Sequence, residues 1–137
     1  MMRRNLALLA IFSFLLSVIA WGREDRLTNT GITPAAEGKV GSSTDRNGNT
    51  AIEVEVKHMA SPESLTPAET AYVVWVQPRG KDPDAVGVLR VNKDLEGSVK
   101  ATTPYKDFDI FITAEGTMKP ERPSGMVILR GTVQREP

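Results

Sequence analysis

The chain has 137 residues, with 17 basic side chains balanced by 17 acidic ones and no cysteine. This length fits one domain, and the balanced charge argues against a nucleic-acid binder that neutralises phosphates with a basic stripe. Without cysteine the chain has no disulfide scaffold, thiolate zinc site or cysteine nucleophile, and its single histidine, His58, excludes a multi-histidine metal centre.

The N-terminal segment is predicted to be an export signal. Arg3 and Arg4 precede an apolar stretch over residues 6–21, which ends in small residues such as Ala20. This order predicts a cleaved signal peptide over 1–22 and an exported protein, periplasmic or extracellular. The alternative is an inner-membrane anchor formed by residues 6–21, although the stretch is shorter than the roughly 20 apolar residues that a span requires. We expect membrane contact only if the segment is retained.

Residues 23–36 are polar and aperiodic, and they contain Gly31 and Pro34. This composition predicts a flexible linker between the signal and a folded domain over residues 37–137.

A β-hairpin is predicted at the start of that domain. Residues 51–58 alternate between apolar side chains and Glu or Lys, which is typical of a strand with one buried face. Asn47-Gly48 precedes this strand, and an Asn-Gly pair favours a tight hairpin turn because both central residues need positive φ. We therefore expect 38–44 to pair antiparallel with 50–57.

The rest of the domain is predicted to be all-β. Residues 71–78 are apolar on both faces and indicate a central strand, whereas 59–70 contain two prolines and favour a short helical turn or a crossover. Further strands are predicted at 86–91, 98–103, 107–114 and 126–133. About seven short strands without helical periodicity favour an immunoglobulin-like antiparallel β-sandwich, preceded by the signal-peptide helix and the linker, with a small closed barrel as the alternative. We expect Trp75, Ile110 and Leu129 to share its interior.

Catalytic chemistry finds little support in the sequence. His58 ends a strand, on the face of Val54 and Val56, and no serine lies in an activated context such as a nucleophile elbow. Glu53 and Glu55 share a strand face whose charged pattern predicts exposure to solvent, whereas glycoside hydrolysis needs two carboxyl groups that face each other in a cleft. We expect a protein that is not an enzyme and has no catalytic residue.

Metal binding has only weak candidates. Asp82, Asp84, Asp107 and Asp109 could supply oxygen ligands for calcium, but turn chemistry explains their positions without a metal. The Asp45-x-Asn47-x-Asn49 spacing fails as a calcium loop, since its twelfth position lacks the bidentate glutamate. We expect no metal and no other cofactor.

One aromatic residue departs from the predicted burial pattern. Phe111 lies on the polar side of the strand over 107–114, whereas Trp75 and Tyr72 are expected in the core. Phe111 is either a rim contact under a loop or an anchor for a partner protein.

Several short segments occur in an order found in a known family. They are Leu65-Thr66-Pro67, Tyr72-Val73-Val74-Trp75-Val76, Gly87-Val88-Leu89, Gly97, Ile112-Thr113-Ala114-Glu115 and Pro123-Ser124-Gly125-Met126-Val127-Ile128-Leu129-Arg130-Gly131. With them, residues 50–133 resemble the extracytoplasmic C-terminal domain of anti-sigma-K factors (the RskA family). Glu115-Gly116-Thr117-Met118 stands where that family usually has Glu-Pro and a Gly-Gly-Ser loop.

Members of that family combine a sigma-binding domain inside the cell, a membrane span and this outer domain. Here about five residues precede the apolar stretch, so the resemblance implies a free-standing exported relative of the sensor domain.

Three functions follow as hypotheses. The first is a non-enzymatic module that binds another envelope protein, or has a structural or sensory role, and recruits a partner through an exposed strand edge. The second is a small-ligand or calcium-binding module that uses the loops at 79–85, 104–109 and 115–125, at one end of the sandwich. The third is a hydrolase centred on His58. None of them involves nucleic acid.

Overall fold

The computed structural model describes residues 22–135, so the predicted signal peptide and the alternative anchor lie outside it except for Gly22. Within this range no helix is long and apolar enough to cross a membrane. The described elements are β1 (Arg23–Asn29), β2 (Glu37–Thr44), β3 (Thr50–Lys57), a 3-10 turn (Pro62–Ser64), β4 (Ala71–Pro78), β5 (Asp84–Leu89), β6 (Gly97–Thr103), β7 (Asp107–Glu115) and β8 (Val127–Gln134).

The eight strands form one antiparallel sheet in the order β5-β4-β7-β8-β1-β2-β3-β6. β1 joins its two halves, pairing with β2 over Arg23–Leu27 and with β8 over Thr28–Asn29. The edge strands β5 and β6 lie next to each other, so the sheet is nearly closed. The all-β antiparallel prediction is confirmed, but one continuous sheet is not clearly an immunoglobulin-like sandwich and has one strand more than expected.

The flexible linker expected over residues 23–36 was wrong for its first half, which forms β1. Leu27 is the apolar residue of β1 that enters the core, and it is only 8% exposed. After the strand, the Asn29 side-chain amide donates to the carbonyl oxygens of Thr33, Pro34 and Ala36 and holds the following turn. A single apolar residue gives no periodicity, which explains why the sequence pattern missed this strand.

The predicted pairing of 38–44 with 50–57 is confirmed, but the turn is longer than expected, because five residues connect the strands and Gly48 has positive φ whereas Asn47 does not. β2 and β3 pair in register from Thr44↔Thr50 onwards, and the turn between them has Gly48 at φ +81°. The Asp45 carboxylate accepts hydrogen bonds from the backbone N–H groups of Asn47 and Asn49, which stabilises this turn.

The main core lies between the two halves of the sheet. It includes Val40, Ile52, Val54, Val56, Tyr72, Val74, Val76, Ile110, Ile112, Ile128, Leu129 and Val133. The Tyr72 hydroxyl donates to the carbonyl of Ala60, and burial, followed by the charge of Glu63, raises the pKa of Tyr72 to about 12.

The prediction that β4 is buried on both faces is confirmed, since every residue from Ala71 to Val76 is buried. The expected position of Trp75 was wrong, however, because it does not share the main core with Ile110 and Leu129. Neighbouring side chains of a strand point to opposite faces, so Val74 and Val76 enter the core and Trp75 lies on the other side, opposite Phe111.

Candidate functional site

A cleft of about 630 Å³ lies where β4 and β8 end and where β1 and β7 begin. We call it the arginine cleft. Its polar lining consists of Arg23, Arg79, Arg135, Asp107, Asp109, Gln77, Thr132 and Gln134. Gln77, Asp109 and Thr132 are in register across three strands, so paired backbone fixes its floor.

Two of the three arginines are held by hydrogen bonds. The Arg23 guanidinium donates to the Gln134 carbonyl oxygen at 2.6 Å and to the Asp25 carboxylate at 3.3 Å. Arg135 donates to hydroxyl oxygens of β2, namely those of Ser42 and Thr44, both at 3.1 Å. These contacts connect the end of β8 to β1 and β2.

Arg79 differs from the other two arginines. It is exposed just after β4 and forms no salt bridge with any residue in the described range 22–135. A guanidinium has five N–H donors and binds carboxylates in a bidentate way, so the exposed Arg79 has the chemistry to bind a carboxylate.

The two predicted aspartates in the cleft make local hydrogen bonds. Asp107 accepts the backbone N–H of Arg135 at 3.2 Å, and Asp109 accepts the hydroxyl of Thr132 at 3.0 Å. Asp82 lies in the neighbouring β4–β5 connection and Asp84 begins β5, and both are exposed. The described part of the chain brings no three His, Asp or Glu side chains together as a metal site.

An aromatic pair lies one row further along β4 and β7. The rings of Trp75 and Phe111 are stacked with centroids 6.4 Å apart and planes at 16°. Trp75 is completely buried, Phe111 is partly exposed, and the exposed Arg130 lies next to Phe111 on β8. Phe111 thus points away from the main core as expected, and its role as a partner contact stays a prediction.

A buried carboxylate lies at the far end of the same face. Glu115 is 1% exposed and accepts hydrogen bonds from the Thr113 hydroxyl, the Ser124 hydroxyl and the backbone N–H groups of Ser124 and Gly125. Trp75 Nε1–H donates to the Thr113 hydroxyl oxygen at 2.8 Å, which links the aromatic pair to this network.

The network ties the loop between β7 and β8 to the sheet. Burial by itself would raise the pKa of Glu115, but the hydrogen bonds from Thr113, Ser124 and Gly125 together hold this pKa below its ordinary value. Gly125 also lies so close to the Ala114 carbonyl that a Cβ at this position would collide with it. Sequence reasoning missed Glu115, and its only signal was an acid that ends an apolar strand.

The proposed catalytic groups are not brought together. His58 is exposed in a turn at φ +55°, so the expectation that it shares the face of Val54 and Val56 was wrong. A left-handed backbone at this position ends the alternation of β3. Glu53 and Glu55 lie on the outer face of β3, where each forms an exposed salt bridge to a lysine.

The loops expected to form one ligand site lie at two ends of the sheet. Lys81 Nζ lies 4.9 Å from the centre of the Tyr105 ring, so the loops at 79–85 and 104–109 are neighbours. The loop at 115–125 is at the opposite end, because Ala71 pairs with Glu115 at one end of β4 while Pro78 pairs with Phe108 at the other. The expectation of a single three-loop site was therefore wrong.

Comparison with protein families, with curated proteins and with solved structures finds no significant match to this chain.

Proposed function

We propose that this chain is an exported, non-enzymatic module that binds another protein of the bacterial cell envelope. The observation that carries the proposal is the outer face of β4, β7 and β8, where the arginine cleft adjoins Phe111 and Arg130. Its role is structural or sensory, in keeping with the anti-sigma factor outer domain that the sequence resembles.

The chemistry of this face suits protein recognition. Aromatic and arginine side chains are enriched among the residues that dominate binding energy in protein interfaces, and both types occur here side by side. Phe111 is partly exposed and is supported from below by the buried ring of Trp75, so little side-chain freedom remains to be lost on binding.

Three further features support the non-enzymatic reading. His58 is exposed in a turn, and it forms no salt bridge with a carboxylate among residues 22–135. Glu53 and Glu55 are paired with lysines, and the buried Glu115 has its oxygens occupied by loop donors. These acids are engaged in structural contacts.

We also propose that the sheet is best classed as a β-sandwich, with β1-β2-β3-β6 packed on β5-β4-β7-β8. Alternating burial along β3 and β7 supports this reading, since each strand turns one apolar face to the shared core.

Site-directed photo-cross-linking in the producing bacterium tests the proposed interface. A photoreactive residue is placed at Arg130, next to Phe111, and the matched control carries it at Lys100 on the outer face of β6. We expect one discrete cross-linked species of constant mass with the Arg130 probe and none with the Lys100 probe. No adduct at Arg130, or equal adducts at both positions, would contradict the proposal.

Export is tested by fractionation together with N-terminal sequencing of the protein. Cleavage after either of two small residues, Ala20 or Gly22, gives a chain that begins at Trp21 or Arg23 in the periplasm or medium. An intact chain in the membrane fraction would favour the anchor over residues 6–21, and a chain that stays in the cytosol would overturn export.

A further inference from the structure

The edge of β8 is only partly covered by another strand. β1 pairs with β8 only at its C-terminal end, at Thr28↔Arg130 and Asn29↔Leu129, whereas its earlier residues pair with β2. β8 itself continues to Gln134, so from Gly131 onwards it has no strand partner on its β1 side. A strand edge without a partner presents hydrogen-bonding groups that another chain can pair with.

The direction of the backbone groups follows from the last contacts of β1. The N–H of Thr30 donates to the carbonyl of Ile128 at 3.1 Å, and Thr28 is in register with Arg130. Peptide groups along a strand alternate between its two edges, so those of Thr132 and Gln134 also point towards the β1 side. On that side, the Arg23 guanidinium occupies the Gln134 carbonyl in place of a backbone donor.

The two ends of this open edge are defined by close contacts. A Cβ at Gly131 would lie 2.7 Å from Leu27 Cδ2, so β1 still covers this residue and the open edge begins after it. At the other end Arg135 reaches across to Ser42 and Thr44 on β2. The open edge therefore comprises the three residues from Thr132 to Gln134, a length on the order of 10 Å at about 3.3 Å per residue.

The charges around the edge favour an acidic segment. Three arginines and two aspartates line the adjoining cleft, and Arg23 is already paired with Asp25, so Arg79 is the cation that favours an acidic segment. Arg79 has no salt-bridge partner among the described residues. Guanidinium groups bind carboxylates through two parallel hydrogen bonds, so they select acidic side chains over basic ones.

We propose that the β8 edge from Thr132 to Gln134 binds a short, extended, acidic segment of the partner protein by strand addition. The backbone of the segment pairs with the N–H and C=O groups of Thr132 and with the N–H of Gln134, and one of its carboxylates contacts Arg79. This inference rests on the proposed function and adds the chemical class of the partner and the way in which it is held.

A direct test measures the binding of synthetic peptides to the exported form of the protein by fluorescence anisotropy. The probe is a capped hexapeptide of alternating Glu and Val, compared with the same peptide N-methylated on one edge and with a Lys/Val version. We expect binding of the Glu peptide, and at least about tenfold weaker binding of the other two. Equal binding of the N-methylated peptide, or no binding of the Glu peptide, would overturn the inference.

Substitutions on the protein side separate the edge from the side chain. Thr132→Pro removes the N–H on the open edge, whereas Thr132→Val keeps it and removes only the hydroxyl. We expect about a tenfold loss of affinity for the proline variant and less than about threefold for the valine variant. If the proline variant does not fold, as judged by its circular dichroism and thermal melt, the N-methylated peptide decides the question.

The same variants distinguish the two proposals in the cell. If Arg130 still forms its cross-link in the Thr132→Pro background, the face binds a partner without the edge, which overturns this inference and leaves the proposed function standing. If the cross-link at Arg130 is absent even in the unmodified background, the proposed function itself fails.

Discussion

The outer faces of the two halves of the sheet differ in how far their side chains are exposed to solvent. On the half formed by β1, β2, β3 and β6, Lys39 bridges Glu24 and Glu55 at 3.6 and 3.5 Å, and Lys100 pairs with Glu53 at 3.9 Å. These pairs are exposed, so each contributes little to stability.

The face of β4, β7 and β8 buries side chains on the side away from the main core. Trp75 and Glu115 are almost completely inaccessible there, Phe111 is partly exposed beside Trp75, and the three arginines of the cleft lie at the end of the face opposite Glu115. One face therefore consists of exposed, paired charges. The other face combines the buried side chains of Trp75 and Glu115 with a partly exposed aromatic ring and exposed arginine side chains. This combination is what a binding surface requires.

Removing Trp75 is expected to show the largest difference in stability between the two faces. Trp75→Ala deletes a fully buried ring, its stacking on Phe111 and its hydrogen bond to Thr113. We expect a loss of about 3–5 kcal/mol in the free energy of unfolding, measured by urea denaturation. Lys100→Ala on the other face is the control and should change it by less than about 0.5 kcal/mol. Similar effects of the two substitutions would refute the contrast.

Leu27→Ala tests whether β1 belongs to the folded domain. Leu27 is 8% exposed and packs in the main core, so we expect a loss of about 2–4 kcal/mol in the free energy of unfolding. Thr28→Ala, at an exposed position of the same strand, is the control. A negligible effect of Leu27→Ala would mean that residues 23–29 are a tether.

Glu115 makes the stability of the second face depend on pH. Because hydrogen bonds hold its pKa in the folded protein below the ordinary value, its contribution is present at neutral pH and is lost as the pH falls through the folded pKa. We expect Glu115→Gln to cost about 1–3 kcal/mol at pH 7 and to flatten the fall in stability on acidification. Urea denaturation from pH 7 to pH 3 measures both effects, and a parallel pH profile in the variant would contradict this account.

The smallest effect is expected at the centre of the charged face. Lys39→Ala removes two exposed salt bridges and should lower the free energy of unfolding by no more than about 1 kcal/mol. The remaining effect should disappear at high salt, because exposed charges are screened. A loss comparable to that of Trp75→Ala would show that ion pairs support this half of the sheet.

The sequence patterns were sufficient where one residue type marked one face. Alternation in residues 51–57 and the Asn47-Gly48 turn identified the first hairpin correctly, and the apolar run at 71–78 identified the central strand. The same run concealed the orientation of Trp75, because a strand that is apolar on both faces does not indicate which face meets the core.

The groups of the candidate site escaped prediction because distant segments assemble them. Arg23, Arg79 and Arg135 come from three separate strand ends, and nothing in their local sequence shows that they meet. The partners of Glu115 lie nine and ten residues further along in a loop, beyond the reach of strand periodicity. Of the predicted site residues, Asp107 and Asp109 line the cleft and Phe111 lies beside it.

The most direct measurement for the whole account is the ratio of cross-linking yields from Arg130 and Lys100 in living cells. The account predicts a strong adduct at Arg130, a negligible one at Lys100, and a decrease at Arg130 when Arg79 is replaced by glutamate. Equal yields at the two positions, or a yield at Arg130 that does not respond to Arg79→Glu, would contradict it.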